Sequence, residues 1–196
     1  VLLHSAGIGA VGNDRWPLTT ALLTDPRAQD IRREDRPAAA LLGPETVMGR
    51  RDSAQRLHQF LKPIFTGHVL ANATAFTEAW ERFEYLRLLV QQDAEGHIET
   101  PYLRVTGIRG DYRPLASNWL DRELGTRGGQ HPLLLFGLLG GDHSRVTTAQ
   151  AAVNAYITQW VEQDRLGHSP HRPLGAVLPQ RTALTEPERR RPPSTG

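Results

Sequence analysis

The sequence predicts a mainly α-helical fold, an irregular helical bundle of about five to six helices with at most a small two-stranded β element and a disordered C-terminal tail. Three observations carry this expectation. Residues 74–92 and 144–166 repeat apolar side chains at three- and four-residue spacing over several turns. Only residues 101–109, with Tyr102, Leu103, Val105 and Ile108, read as a strand. From His168 onward proline and arginine replace apolar periodicity, so a helical domain over 1–167 is followed by a Pro/Arg-rich flexible tail over 168–196.

Each element has a local reason. Gly7, Gly9 and Gly12 form a Gly-x-Gly-x-x-Gly string after Val1-Leu2-Leu3, the arrangement in which a dinucleotide-binding strand leads into a helix whose amides hold a pyrophosphate. The required helix should begin inside the string, whereas Asn13, Asp14 and Pro17 restart one after it and no series of βαβ units follows. A flexible or truncated N-terminal loop is the better expectation. Asp14 and Pro17 then open a short helix over 16–24 that Asp25-Pro26 stops. Residues 26–45, with charges, prolines and the alanines 38 to 40, read as a solvated connector.

Asp52 or Ser53 caps a helix that places Leu57, Phe60, Leu61 and Ile64 on one side and that Pro63 kinks or ends. The stripe Phe76, Ala79, Trp80, Phe83, Leu86, Leu89 and Val90 then marks a core-facing helix. Its Glu78, Glu81 and Glu84 are read as solvated charge on the opposite face. The strand over 101–109 lacks an evident partner, with 97–100 and 1–4 as candidates. A helix over 115–124 ends at Gly125, and residues 132–139 are apolar all round, as a short buried helix would be. Gly140-Gly141 stops that unit, and Asp142 or Ser144 caps a last helix with Val146, Ala149, Val153, Tyr156, Ile157, Trp160 and Val161 inward. The Trp80/Phe83 and Tyr156/Trp160 stripes should meet in one core.

Composition bounds the function. The chain has 196 residues, 39% of them hydrophobic and 22% charged, which suits one folded domain. All 23 basic residues except Lys62 are arginine, an excess that a GC-rich bacterial genome encodes without selection for nucleic-acid binding. A net charge of +2 gives little steering of anionic partners. The absence of cysteine removes disulfides, thiolate zinc sites and cysteine nucleophiles. No apolar run approaches the roughly 20 residues of a membrane span, so the expected location is the cytoplasm with no membrane partner. The opening Val1-Leu2-Leu3, with no methionine, is read as part of a longer protein.

Chemistry-bearing clusters are few. None of the eight histidines stands in a metal-ligand pair on one helical face, and neither a metal nor another cofactor is expected. Asp142-His143-Ser144 holds the residue types of a hydrolase triad, but triad members converge from separate places, so capping explains them better. Arg189-Arg190-Arg191 offers salt-sensitive contact with phosphate or another anion. The expected function is that of a non-enzymatic helical protein-interaction or regulatory module in a bacterial multi-component system, with a protein partner. Its surface would use Arg82, Arg87 and the loop over 126–130. One alternative is an enzyme whose site joins His131, Asp142 and His143 beside Gly128-Gly129 and Gly140-Gly141. The other is an arginine-dependent nucleic-acid-associated protein.

Overall fold

Six helices of nine residues or more dominate the computed structural model of the chain, which describes residues 1–29, 34–48, 53–99, 101–108 and 111–166. They are α1 (Leu2–Gly12), α2 (Trp16–Thr24), α5 (Ser53–Phe65), α6 (Ala73–Glu95), α7 (Leu115–Arg127) and α9 (His143–Arg165). Three shorter ones, α3 (Ala38–Leu41), α4 (Pro44–Met48) and α8 (Pro132–Leu135), bring the total among the described residues to nine. Two antiparallel hairpins complete the fold: β1 (Arg27–Gln29) with β2 (Asp35–Pro37), and β3 (Val105–Ile108) with β4 (Asp111–Pro114). The fold is thus mainly helical. The expected tail over 168–196 lies outside the described residues.

α6 runs through the middle of the molecule. Asn72 starts it by accepting a hydrogen bond from the Ala75 N–H at 2.9 Å, and Gly96 ends it at φ 70°, a left-handed conformation that glycine adopts without strain. α1, α2, α3, α5, α7 and α9 all pack on it. Every residue from 83 to 91 is consequently buried, so over this stretch α6 has no wet back. Glu81 and Glu84, expected in solvent, are buried and paired, and only Glu78 is exposed. Arg87, expected on a partner surface, has no exposed surface at all.

The charges on α6 survive burial because each has a partner. Arg87 grips Glu84 with two hydrogen bonds of 2.9 and 2.8 Å, one turn apart on the same helix, and His4 of α1 lies 3.3 Å from the same carboxylate. Burial by itself would raise the Glu84 carboxyl. The Arg87 guanidinium and the hydrogen bonds from His4 and Arg87 outweigh it and hold the group well below the usual carboxylate range.

α1 is the largest correction to the sequence reading. The Gly7, Gly9 and Gly12 string is helix throughout, neither a loop nor a strand-to-helix turn. A Cβ on Gly7 would sit 2.0 Å from Phe83 Cε2, and one on Gly12 2.5 Å from Leu70 Cδ2, so these glycines bring α1 flat against the bundle. The described residues of the proposed connector, 26–29 and 34–45, are also structured. Ala38, Ala39 and Ala40 are buried in α3 against α6, small enough for close helix packing.

Other differences are local. α5 continues through Pro63 to Phe65, the proline falling within its last turn. Leu57, Leu61 and Phe65 point inward while Phe60 and Ile64 are exposed, so the expected single apolar side is split. α7 passes Gly125 and ends at Arg127. The 101–109 strand pairs with neither expected partner: Val105 lies opposite Pro114 and Thr106 opposite Arg113, while Leu2 to His4 belong to α1. In the segment 132–139, Leu133, Leu134, Leu138 and Leu139 are buried but Leu135 and Phe136 are exposed. Trp80 and Phe83 face His4, with Trp80 also meeting His58, whereas α9 meets α6 on another face, where Tyr85 donates to Asn154 at 3.0 Å. The Trp80/Phe83 and Tyr156/Trp160 stripes nevertheless share one core, Trp80 and Phe83 fully inside it and Tyr156 and Trp160 half-buried against it.

Candidate interaction groove

Two tryptophans more than a hundred positions apart define the most feature-rich surface. Pro17 in the first turn of α2 sets the start of that helix, and Trp16 stacks on Trp119 of α7 with ring centroids 6.0 Å apart and planes 24° from parallel. The Arg82 guanidinium lies over the Trp119 ring, 5.1 Å from its centroid, and Glu78 steadies it from one helical turn away at 3.6 Å. Arg104 closes one end through Glu81, with bonds of 2.6 and 2.9 Å from its side chain and one of 3.1 Å from its backbone N–H.

These groups border two adjoining concavities of about 460 and 550 Å³, which share Arg82, Trp119 and Arg122. Charge pairing within them is uneven. Glu78 and Glu81 are engaged by Arg82 and Arg104, and Glu123 by His131. Arg122 donates only to the Asn118 carbonyl of its own helix, and Arg127 has no acidic partner within ion-pair distance among the described residues. Against these two guanidinium groups stands the carboxylate of Asp14. The groove can therefore take an anionic group, with aromatic edges beside it.

His131 is the one sequence-nominated histidine near this groove. It caps α8: its Nδ1 accepts from the Leu133 N–H at 3.2 Å, which places the proton on Nε2, 3.4 Å from Glu123 Oε2. Burial lowers its pKa, Glu123 partly offsets this and Arg127 adds to the lowering, so the ring is held neutral. With Nδ1 accepting and Nε2 facing a carboxylate, no lone pair remains to take a proton from a substrate.

The other nominated residues fall elsewhere. Asp142 caps α9, accepting from Ser144 N–H at 2.8 Å and Arg145 N–H at 3.4 Å. His143 opens α9 in an exposed position, and no hydrogen bond joins it to Asp142 or His131 among the described residues. Gly7 and Gly12 serve helix packing, Gly9 has room for a side chain, and Arg189, Arg190 and Arg191 lie outside the described residues. No group of three or more metal-ligating side chains occurs among the described residues. Among the same residues no helix is long and apolar enough to cross a membrane. Arg82 and Thr126, the latter in the nominated 126–130 segment, do line the groove. Trp16, Arg104, Trp119 and Arg122 were missed, because no local signal links residues so far apart.

Comparison with protein-family models, with curated proteins and with solved structures finds no match.

Proposed function

We propose that the protein is a non-enzymatic helical interaction or regulatory module of a bacterial multi-component system, working in the cytoplasm, and that its groove receives an acidic segment of a partner protein. The observation that carries this reading is the pair Arg122 and Arg127, left without acidic partners beside the stacked Trp16 and Trp119. Arginine and tryptophan are the residues most enriched where interfaces concentrate binding energy. Carboxylates of a partner match the forked guanidinium donors, and its apolar side chains match the indole edges.

The test is fluorescence anisotropy of the full chain with a labelled peptide of alternating glutamate and leucine, using the glutamine counterpart as control. The glutamate peptide should bind, and a double Arg122→Gln, Arg127→Gln variant should weaken it about tenfold by removing two charge contacts. Arg56→Gln, on the exposed side of α5, should leave it unchanged. Equal binding of both peptides, or indifference to the double variant, would overturn the reading. Tighter binding of a single-stranded oligonucleotide with steep salt dependence would replace the protein partner by a nucleic acid.

A further inference from the structure

α7 carries Glu123 and Arg127 four positions apart, with the acid on the N-terminal side, the spacing and order in which a helical ion pair forms most readily. The pair is not made. Arg127 has no acidic partner within ion-pair distance among the described residues, and Glu123 turns instead to His131, whose Nε2 lies 3.4 Å from its Oε2. The same spacing and order does pair on α6, where Arg82 stands 3.6 Å from Glu78. What differs on α7 is a competitor for the carboxylate.

That competitor is built into the turn after the helix. Gly128 leaves α7 at φ 53° and ψ −137°, a conformation open to glycine without strain, and a single 3₁₀ turn over Gly128–Gln130 carries the chain back. His131 N–H closes the turn on the Gly128 carbonyl at 3.1 Å. The ring, fully buried, is then fixed from several directions. Nδ1 accepts from the Leu133 N–H at 3.2 Å, Trp16 packs against the imidazole with centroids 5.9 Å apart, and Nε2 is left toward Glu123. This nitrogen carries the proton and has no closer acceptor among the described residues. Stranding a buried donor costs more than an exposed helical ion pair returns, so Glu123 stays with His131 rather than Arg127.

We infer that His131 is a positioning residue for the tryptophan groove: by holding the Glu123 carboxylate, it keeps the Arg127 guanidinium open to a carboxylate of the partner. Without the ring, Glu123 closes on Arg127 and neutralises one of the two receiving cations, leaving Arg122 to face Asp14 alone. Glu123 and Arg127 line the same concavity of about 550 Å³, so the released acid also repels an incoming acidic segment. This role rests on the groove receiving such a segment, as proposed above. It adds how the groove is kept from satisfying its own charges.

Two substitutions separate the duties of the ring. His131→Asn keeps an acceptor where Nδ1 caps α8 but removes the donor, whereas His131→Gln keeps a donor near the position of Nε2. Circular dichroism and Tm report whether each full-length variant is folded. In fluorescence anisotropy with the labelled glutamate–leucine peptide at low ionic strength, His131→Asn should bind about threefold more weakly than the parent. His131→Gln should bind like the parent, and so should His131→Asn combined with Glu123→Gln. Without peptide, solvent exchange of the Arg127 Nε proton, followed by NMR, should slow severalfold in His131→Asn and recover when Glu123→Gln is added. Folded His131→Asn protein with parental exchange and parental binding would overturn the role. So would a loss of binding that Glu123→Gln does not restore, or one that His131→Gln shows equally. A parent that does not bind the peptide overturns the reading of the groove instead, and the exchange rates alone then decide whether His131 keeps Glu123 from Arg127.

Discussion

α6 and α9 are each 23 residues long and carry similar apolar spacing, yet they occupy opposite kinds of position. α9 behaves as its pattern says: Val146, Val153, Ile157 and Val161 are buried and the other face is wet. α6 is enclosed on every side over residues 83–91, and its polar residues Glu81, Glu84, Arg87 and Gln91 are buried with partners. Periodicity reports which residues want burial, while the neighbours decide how much of the rest follows them inside. A central helix must satisfy its charges internally; a peripheral one leaves them to water.

The sharpest way to break this comparison is to remove one charge from each helix. Arg87→Met strands the Glu84 carboxylate in the core and should lose about 3–5 kcal/mol in a urea titration. Arg145→Gln, which dissolves the exposed pair of α9 with Asp93, should change stability by less than about 1 kcal/mol. Equal effects would mean that α6 is no more enclosed than α9.

The next effect is read from pH. His58 packs between Phe76, Trp80 and Tyr102 at centroid distances of 5.1, 5.2 and 5.1 Å, and neither ring nitrogen has a hydrogen-bond partner. Burial, with Lys62 and Arg104 adding to it, lowers its pKa from 6.5 to about 4. The folded state thus binds the proton less readily than the unfolded one. Stability from the neutral ring is full above pH 6.5, declines as pH falls, and is lost below pH 4, a total of about 3 kcal/mol. Thermal melts across that window should show the decline, and His58→Leu should flatten it. α9 has no such buried ring: its His143 is exposed.

Backbone approach gives a smaller contrast. Gly7→Ala drives a methyl into Phe83 of α6 and should destabilise by about 1–3 kcal/mol in the urea midpoint. Gly9→Ala meets its nearest atoms at 3.7 Å and should instead stabilise α1 by about 0.5–1 kcal/mol. Smallest of all, the caps should cost alike: Asn72→Ala at α6 and Asp142→Ala at α9 should each lower stability by about 1 kcal/mol in the same titration.

Legibility in the sequence follows the same division. Asp142, Asn72 and Gly96 act through their own neighbours within a few positions, and the two long helices they bound were readable from spacing alone. The inward stripe of α9 was equally plain. α1 was missed because three glycines weaken helix propensity, and the close approaches that call for two of them, Phe83 at Gly7 and Leu70 at Gly12, come from residues more than fifty positions away. Glu81 and Glu84 were misplaced because charge normally marks solvent, and only Arg104, Arg87 and His4 together make burial tolerable. The groove was half visible. Arg82 stands on a helix whose outer face periodicity located and Thr126 in the segment read as a loop, but the Trp16–Trp119 stack joins distant segments and had no local signature.

The central placement of α6 also governs the order in which the chain becomes native. His4 reaches Glu84 across 80 positions, and Tyr85 reaches Asn154 across 69. As the chain leaves the ribosome, α1, α2 and α5 have no completed surface to dock on until α6 has followed them, and α6 remains open along one side until α9 arrives. Such long loops must close before their contacts are gained, so this helical protein should fold more slowly than a bundle of sequence-adjacent hairpins. Cleavage between α5 and α6 would leave two fragments that each lack the partner surface and that regain structure only when mixed.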